Sequence, residues 1–371
     1  MLDNKKVVAF ICECNPFHAG HKRLISAAKK EADIVIAIMS GNFVQRGEPA
    51  VNDKYERSKK LLNNGVSMVI ELPVEYSLSS AKYFASSSIK ILDKLTFVDK
   101  LIFGSKINDV NKLSKLADIN IKSKNNSKVK EMIKSGATYS AALSTLYGKT
   151  LSPNDILAVE YIAAIKEIKS KITPISIKRI NDIPTASELR KRLNKKITND
   201  SFSQVLNYKI LLAKNDLLNL ENIYLMTSDF HNAITKLPNR YLSFEKIAKL
   251  LKTKNRTLAN IKRVLLNIIL GIDKEDVTNL KSLPKYIRIL GVKKNFLPYM
   301  QNIKVPYLLS FAPSSYKTLI KNFPKSREVA QNKNGSFTLS KSISKNIFAS
   351  NLYNYYYNNK KLESTTPSFF I

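Results

Sequence analysis

VVAFICECNPFHAGHKRL, residues 7–24, joins an apolar run to a polar turn and then to two histidines that flank Gly20. Val7 to Cys12 reads as a buried strand, with the chain turning near Cys14 and a helix opening around Gly20. A helix N-terminus presents unpaired N–H groups and the positive end of its dipole, so it favours a phosphate. His18 and His21 add donors for phosphate oxygens, and the absent side chain at Gly20 leaves room for a nucleotide against the backbone. The chain has three histidines and two stand here, which favours the phosphate reading over an ordinary helix start.

Outward from this stretch, strand and helix signals alternate. Short apolar runs occupy 6–13, 33–39, 66–72 and 98–104, with helical patterns at 21–32, 54–65 and 81–95 between them. Such alternation predicts an α/β fold of Rossmann type, a parallel sheet with right-handed crossovers. In these sheets ligands bind beyond the carboxyl ends of the strands. His18, Ser40-Gly41-Asn42, Glu71-Leu72-Pro73 and Gly104-Ser105 follow the four runs, so all four turns are expected to face one crevice.

Further on, residues 107–133 are polar, basic and helical in character, with a loop expected at Lys122–Ser127. Ser152 and Pro153 open a helix to Ile168 as N-cap and first helical residue. TPISIKRI (173–180) supplies another strand, and IPTASELRKRL (183–193) a turn and helix. Strand signals then fade. Residues 243–272 read as two helices, the second apolar on most faces and therefore buried. These patterns divide the chain into a nucleotide-binding catalytic domain, 1–195, and a mainly helical domain, 196–371.

The formal net charge of +32, from 61 basic and 29 acidic residues, calls for a polyanionic partner, and nucleic acid is the simplest. Lys252, Lys254, Arg256, Lys262 and Arg263 cluster at a helix junction and form the expected RNA surface, although a solvated charged face would explain each one singly. No membrane span is expected, because no run of about 18 apolar residues occurs. The N-terminal stretch turns polar too soon for a signal peptide, so the expected location is cytoplasmic. Cys12 and Cys14, the only cysteines, share one strand face, are poorly placed to bridge, and make a weak zinc site without a supporting cluster. Buried packing is expected of them, and no protein metal site is identified.

His-x-Gly-His is the signature of nucleotidyltransferases that act at the α-phosphate of ATP. Together with ECNPFHAGH (13–21), MSGNFVQRGEPAVNDKYERSK (39–59), IELP (70–73), FGS (103–105), SPNDILAVEYIAA (152–164), IKRI (177–180) and residues 243–266, it makes the chain resemble the bacterial tRNA(Met) cytidine acetate ligase family. The resemblance implies a two-step reaction. Acetate attacks the α-phosphate of ATP, giving acetyl-adenylate and pyrophosphate, and the exocyclic amine of the wobble cytidine of elongator tRNA(Met) then takes the acetyl group. ATP, accompanied by Mg2+, is the implied co-substrate. The implied ATP site comprises Ile11, Cys12, Glu13, Cys14, Asn15, Pro16, Phe17, His18, Ala19, Gly20, His21, Lys22, Arg23 and Leu24, completed by Gly104, Asn154 and Arg179. His18 and His21 are the expected catalytic donors, and TASELR (185–190) resembles a second phosphate motif whose Thr185, Ser187 and Arg190 could reach phosphates. His231 is expected to be structural. Two other readings stay open on the residues: adenylation of a phosphorylated cofactor precursor, and RNA binding without catalysis. No protein partner is deducible.

Overall fold

The structure, a computed structural model, describes residues 2–123, 131–132, 144–148, 150–179, 184, 186–193, 197–254, 256–278, 286–323, 340–358 and 362–371. The expected loop at 122–127 and Thr185 fall largely or wholly outside these residues. β1 (Val7–Cys12) pairs in parallel with β2 (Ile34–Ser40) on one side and β6 (Lys100–Ser105) on the other. β5 (Met68–Leu72) extends the sheet beyond β2, and β7 (Thr173–Lys178) extends it beyond β6, again in parallel. A two-stranded ribbon, β3 (Phe43–Val44) with β4 (Glu48–Pro49), follows β2.

Period-two alternation divides the strand side chains between the two faces. Val7, Ala9, Ile34, Ile36, Ile38, Met68 and Ile70 enter one core; Val8, Phe10, Val35, Ala37, Met39 and Val69 enter the other. Burial on both faces explains why these strands read as unbroken apolar runs. The helix Ala19–Glu31 packs Ile25 and Ala28 into the second core, and Lys54–Asn63 adds Leu61 and Leu62.

Three strands correct the expectation that strand signals fade after residue 196. β8 (Ile287–Val292) pairs antiparallel with β5, and β9 (Tyr307–Leu308) and β10 (Phe369–Phe370) pair with β8 in parallel. The sheet order is therefore β10-β8-β5-β2-β1-β6-β7, with β9 on β8. β9 and β10 are too short to leave a periodic pattern. β8 carries Arg288, a charged residue that breaks its apolar run. Its guanidinium is buried and donates to the carbonyls of Ile289 and Thr366 and to the hydroxyls of Ser368 and Tyr55. The two expected helices stand at Phe244–Leu250 and Leu258–Leu270, the second buried along most of its length.

Buried charge ties the C-terminal segment to the first strands. Lys54 Nζ donates to both oxygens of Glu71 at 2.8 Å, to Glu363 Oε1 at 2.7 Å and to Ser350 Oγ at 3.1 Å, with Lys54 and Glu363 fully buried. Burial alone would lower the pKa of Lys54, but Glu363 and Glu71 outweigh it and raise it. The cation joins the end of β5 to the helix Lys341–Tyr357 and to the turn at Glu363. Removing one member of such a cluster strands the others in low dielectric. Lys54→Met is therefore expected to destabilise the fold by about 3–5 kcal/mol, read as a fall in urea midpoint. An unchanged midpoint would show the cluster to be dispensable.

Candidate active site

Strand order reverses beside β1, since the connections run outward to β2 and β5 on one side and to β6 and β7 on the other. At that switch point a cavity of about 1240 Å³ opens beyond the carboxyl ends of β1, β6 and β7. Ligand pockets run on the order of 300–1,000 Å³, so this one has room for a nucleotide and a second substrate together.

Two of the four turns expected to face the crevice do so directly. The turns after β1 and β6 line the cavity, but those after β2 and β5 are filled by protein. Arg57, fully buried, donates to the carbonyls of Glu13, Ser40, Gly41 and Asn52. Asn42 Oδ1 accepts from Lys54 N, and Glu71 is held by Lys54. The stretch 39–59 is thus scaffold for the most part, and from it Gln45 and Arg46 alone reach the cavity wall.

The helix Ala19–Glu31 opens on a reciprocal cap. His18 Nδ1 accepts from Gly20 N at 3.0 Å, and His21 Nδ1 accepts from His18 N at 3.2 Å. Each accepted N–H requires an unprotonated Nδ1, so both neutral rings carry their proton on Nε2. The ring centroids are 4.1 Å apart. Gly20 serves this cap: a Cβ there would lie 2.7 Å from His18 Cε1. That corrects the expectation that its bare backbone is left open for a nucleotide, because the His18 ring fills the space.

Burial, with the nearby charges of His21, Arg179 and Arg190, lowers the pKa of His18 to about 4. It is neutral at physiological pH and can donate through Nε2. At His21 burial also favours the neutral ring, but the Cys14 and Glu13 charges outweigh it and raise the pKa. Cys14 Sγ lies 3.4 Å from Cys12 Sγ, and both cysteines are free and buried. Burial raises the Glu13 carboxyl above the usual range, with Arg46 and Arg190 pulling the other way.

Of the expected ATP residues, Ile11 to Asn15, His18, Gly20, His21, Arg23, Leu24, Gly104, Asn154 and Arg179 line the cavity, whereas Pro16, Phe17, Ala19 and Lys22 do not. Arg23 NH1 is tied to the Lys178 carbonyl at 2.6 Å, linking the first helix to β7. The sequence reading missed Asp155, which sets where Asn154 stands. Its carboxylate accepts from the Ser105 and Ser152 hydroxyls and from Lys106 N, joining the β6 turn to the helix Pro153–Glu167. Burial would raise its pKa, but these hydrogen bonds prevail and lower it. The signal was present as Ser-x-x-Asp at a helix start.

Two expected roles change. Arg190 is buried and engaged with the Asn15 carbonyl at 2.7 Å and Ser187 Oγ at 3.0 Å, so it braces the first turn. Ser187 lines the cavity. The five cations proposed as one RNA surface separate. Lys252 and Lys254 are exposed, and Arg256 lies over the Phe230 ring at 5.0 Å. Lys262 is buried against Glu245 at 2.7 Å, and Arg263 faces the cavity. A solvated face and a pocket wall share the same charges in sequence, and helix packing decides between them. His231 lies outside the cavity lining. Among the described residues no group of three His, Cys, Asp or Glu side chains is arranged to hold a metal. Mg2+ commonly travels on nucleotide phosphates and keeps several waters, a mode that needs no such cluster.

Comparison with known proteins adds to this geometry. The model of the family described as HIGH Nucleotidyl Transferase matches residues 5–191 and again 181–367. The tRNA(Met) cytidine acetate ligase of Thermoanaerobacter sp. (strain X514) is 32% identical over 406 residues, covering 96% of each chain. The enzyme of the same name from Staphylococcus aureus (strain JH9) is 33% identical over 339 residues, 81% of this chain and 87% of that one. A crystal structure of Thermotoga maritima TmcAL bound with alpha-thio ATP superposes with a TM-score of 0.84 at 25% identity, covering 98% and 99% of the two chains.

The cap yields a test of its own. His18→Ala removes an N-cap acceptor and is expected to lower stability by about 1 kcal/mol, whereas His18→Asn, a good cap, should come within a few tenths of wild type. Thermal unfolding of the two variants checks this. Equal losses in both would show that the ring is held by something other than its cap.

Proposed function

The chain belongs to the tRNA(Met) cytidine acetate ligase family, and from that premise we propose that it activates acetate with ATP and acetylates the wobble cytidine of elongator tRNA(Met), forming N(4)-acetylcytidine. The observation that carries this reading is the pair of capped histidines at the floor of a cavity large enough for two substrates.

In the first step an acetate oxygen attacks the α-phosphorus. The new P–O bond forms as the bond to pyrophosphate breaks, and negative charge grows on the phosphoryl and leaving oxygens. Fixed donors aimed at that charge supply most of the catalysis in such reactions, and no protein nucleophile is required. His18 offers an Nε2–H group held by its cap, His21 stands against it with a further hydrogen bond to Cys14, and the Arg179 side chain passes beside Gly104. Asn154, at the start of its helix, can bond to ribose or base. In the second step the cytidine amine attacks the acetyl carbonyl, AMP leaves, and the nitrogen loses a proton. The base has to leave its stack to reach the adenylate. Residues 196–371 are the part we assign to tRNA binding, with Lys252 and Lys254 among its exposed cations. No helix among the described residues is long and apolar enough to cross a membrane.

Labelled pyrophosphate should exchange into ATP when acetate is present, without tRNA, and acetyl transfer should then need tRNA with a wobble cytidine. Exchange that ignores acetate but responds to a phosphorylated cofactor precursor would defeat the reading. His18→Asn, with its cap retained, should lower exchange by about 10²–10³-fold, the range for one lost transition-state donor. Because the His18 pKa lies near 4, its neutral form persists from pH 8 down to 5, and this residue should impose no loss of rate across that window.

Replacing Lys252 and Lys254 with Ala should weaken tRNA binding and reduce the log–log salt slope by roughly 0.7–0.9 per lost phosphate contact. An unchanged slope would place the RNA surface elsewhere.

A further inference from the structure

We propose that Arg263 holds the carboxylate of the acyl donor, and so sets which organic acids are activated. The inference rests on the adenylation reading above. Arg263 lies on the helix Leu258–Leu270, with Thr257 and Asn260 before it on the same cavity wall, opposite in origin to every residue of the first 195. Its NH1 donates to the Gln45 carbonyl at 2.8 Å, while its Nε is buried with no acceptor among the described residues.

Several other cations near the site are engaged, while Arg46, Lys82 and Arg179 line the cavity beside Arg263. Arg57 and Arg190 donate to backbone carbonyls, Arg23 is tied to Lys178, and Lys262 pairs with Glu245. Arg263 has no carboxylate at ion-pair distance among the described residues, although it borders the cavity. A guanidinium largely withdrawn from water without a counter-ion is unfavourable unless an anion comes to it. Burial lowers its pKa to about 10, against the pull of Tyr224 and Glu13.

Position selects the anion. Arg263, Thr257 and Asn260 line the cavity from the later helix, whereas His18, Gly104, Asn154 and Arg179, where the nucleotide is placed, line it from the first 195 residues. An attacking carboxylate must approach the α-phosphorus opposite the leaving pyrophosphate. A planar fork of donors matches a carboxylate there as a point charge does not. Gly47 keeps the wall in place: with φ +75 it lets the ribbon turn lie on the helix, where a Cβ would come within 2.8 Å of Arg263 N.

The test uses the full chain, acetate as the probe, and Arg263→Ala with Arg263→Lys. In acetate-dependent pyrophosphate exchange, Arg263→Ala should raise the KM for acetate about 10–100-fold, the loss expected of a charged hydrogen bond. The Kd for ATP, measured by dialysis without acetate, should stay within about threefold of wild type, since the missing bond is not to phosphate. Arg263→Lys should recover part of the loss, and added guanidinium should restore exchange to Arg263→Ala, neither of which a folding defect would show. A raised Kd for ATP with the KM for acetate unchanged would overturn the proposal and make Arg263 a phosphate ligand. Unchanged values for both would make it structural. Wild-type protein that shows no acetate-dependent exchange would instead remove the adenylation reading, and this role with it.

Discussion

The ammonium of Lys54, closed between Glu71 and Glu363 with no access to water, is the contact on which the arrangement of the chain depends. A lone buried ammonium is prohibitive, and two carboxylates without it would repel each other. The three are tolerable only together. Glu71 ends the strand β5, Lys54 begins the helix after the β3–β4 ribbon, and Glu363 comes from the far end of the chain. One charge cluster therefore fixes the relation of residues 54–72 to residues 341–371. Arg57, one turn along the same helix, draws in the carbonyls at the ends of β1 and β2. Two cations three residues apart thus settle both the sheet's edge and its carboxyl end.

That constraint decides where the site can be. A parallel sheet offers a crevice at each strand's carboxyl end, and here the ends of β2 and β5 are closed by Arg57 and the Lys54 cluster. What stays open is the gap at β1, β6 and β7, so the histidine cap is the floor of the cavity by elimination as well as by position. The cap itself is a compact arrangement. One nitrogen of each imidazole accepts a backbone N–H, which leaves the other nitrogen of His18 as an oriented donor, while His21 also bonds to Cys14. A lysine in the same place could supply charge but could not accept a backbone N–H.

β1, β2, β5 and β6 were legible because burial writes itself as an apolar run, and β7, the half-exposed edge strand, through the alternation of Ile175 and Ile177. β8 was not, since its Arg288 satisfies its charge through carbonyls and hydroxyls far away in sequence. Local periodicity holds no record of those partners. The same limit explains the cations at 252–263. Thr257, Asn260 and Arg263 recur at a helical spacing that marks one face, but what lies opposite that face is a tertiary fact. Asp155 was missed for a different reason. Its cap pattern is common, and its hold on Ser105 joins elements that are fifty residues apart.

The cavity wall carries one more consequence. Helix Leu258–Leu270 reaches the site through the ribbon turn at Gln45–Gly47, and that turn is itself braced from both halves of the chain. Asn199 Nδ2 donates to the Gly47 carbonyl, Lys262 lies 3.9 Å from Glu48, and Arg190 lies 3.6 Å from the same carboxyl group. Glu48 is therefore the point at which the second phosphate-type motif, the ribbon and the helical segment meet. A shift in any one of them moves the carbonyl that orients Arg263, and with it the second wall of the cavity. The first 195 residues contain the histidine floor but not this wall, so the site is complete only when the later helices are packed against it.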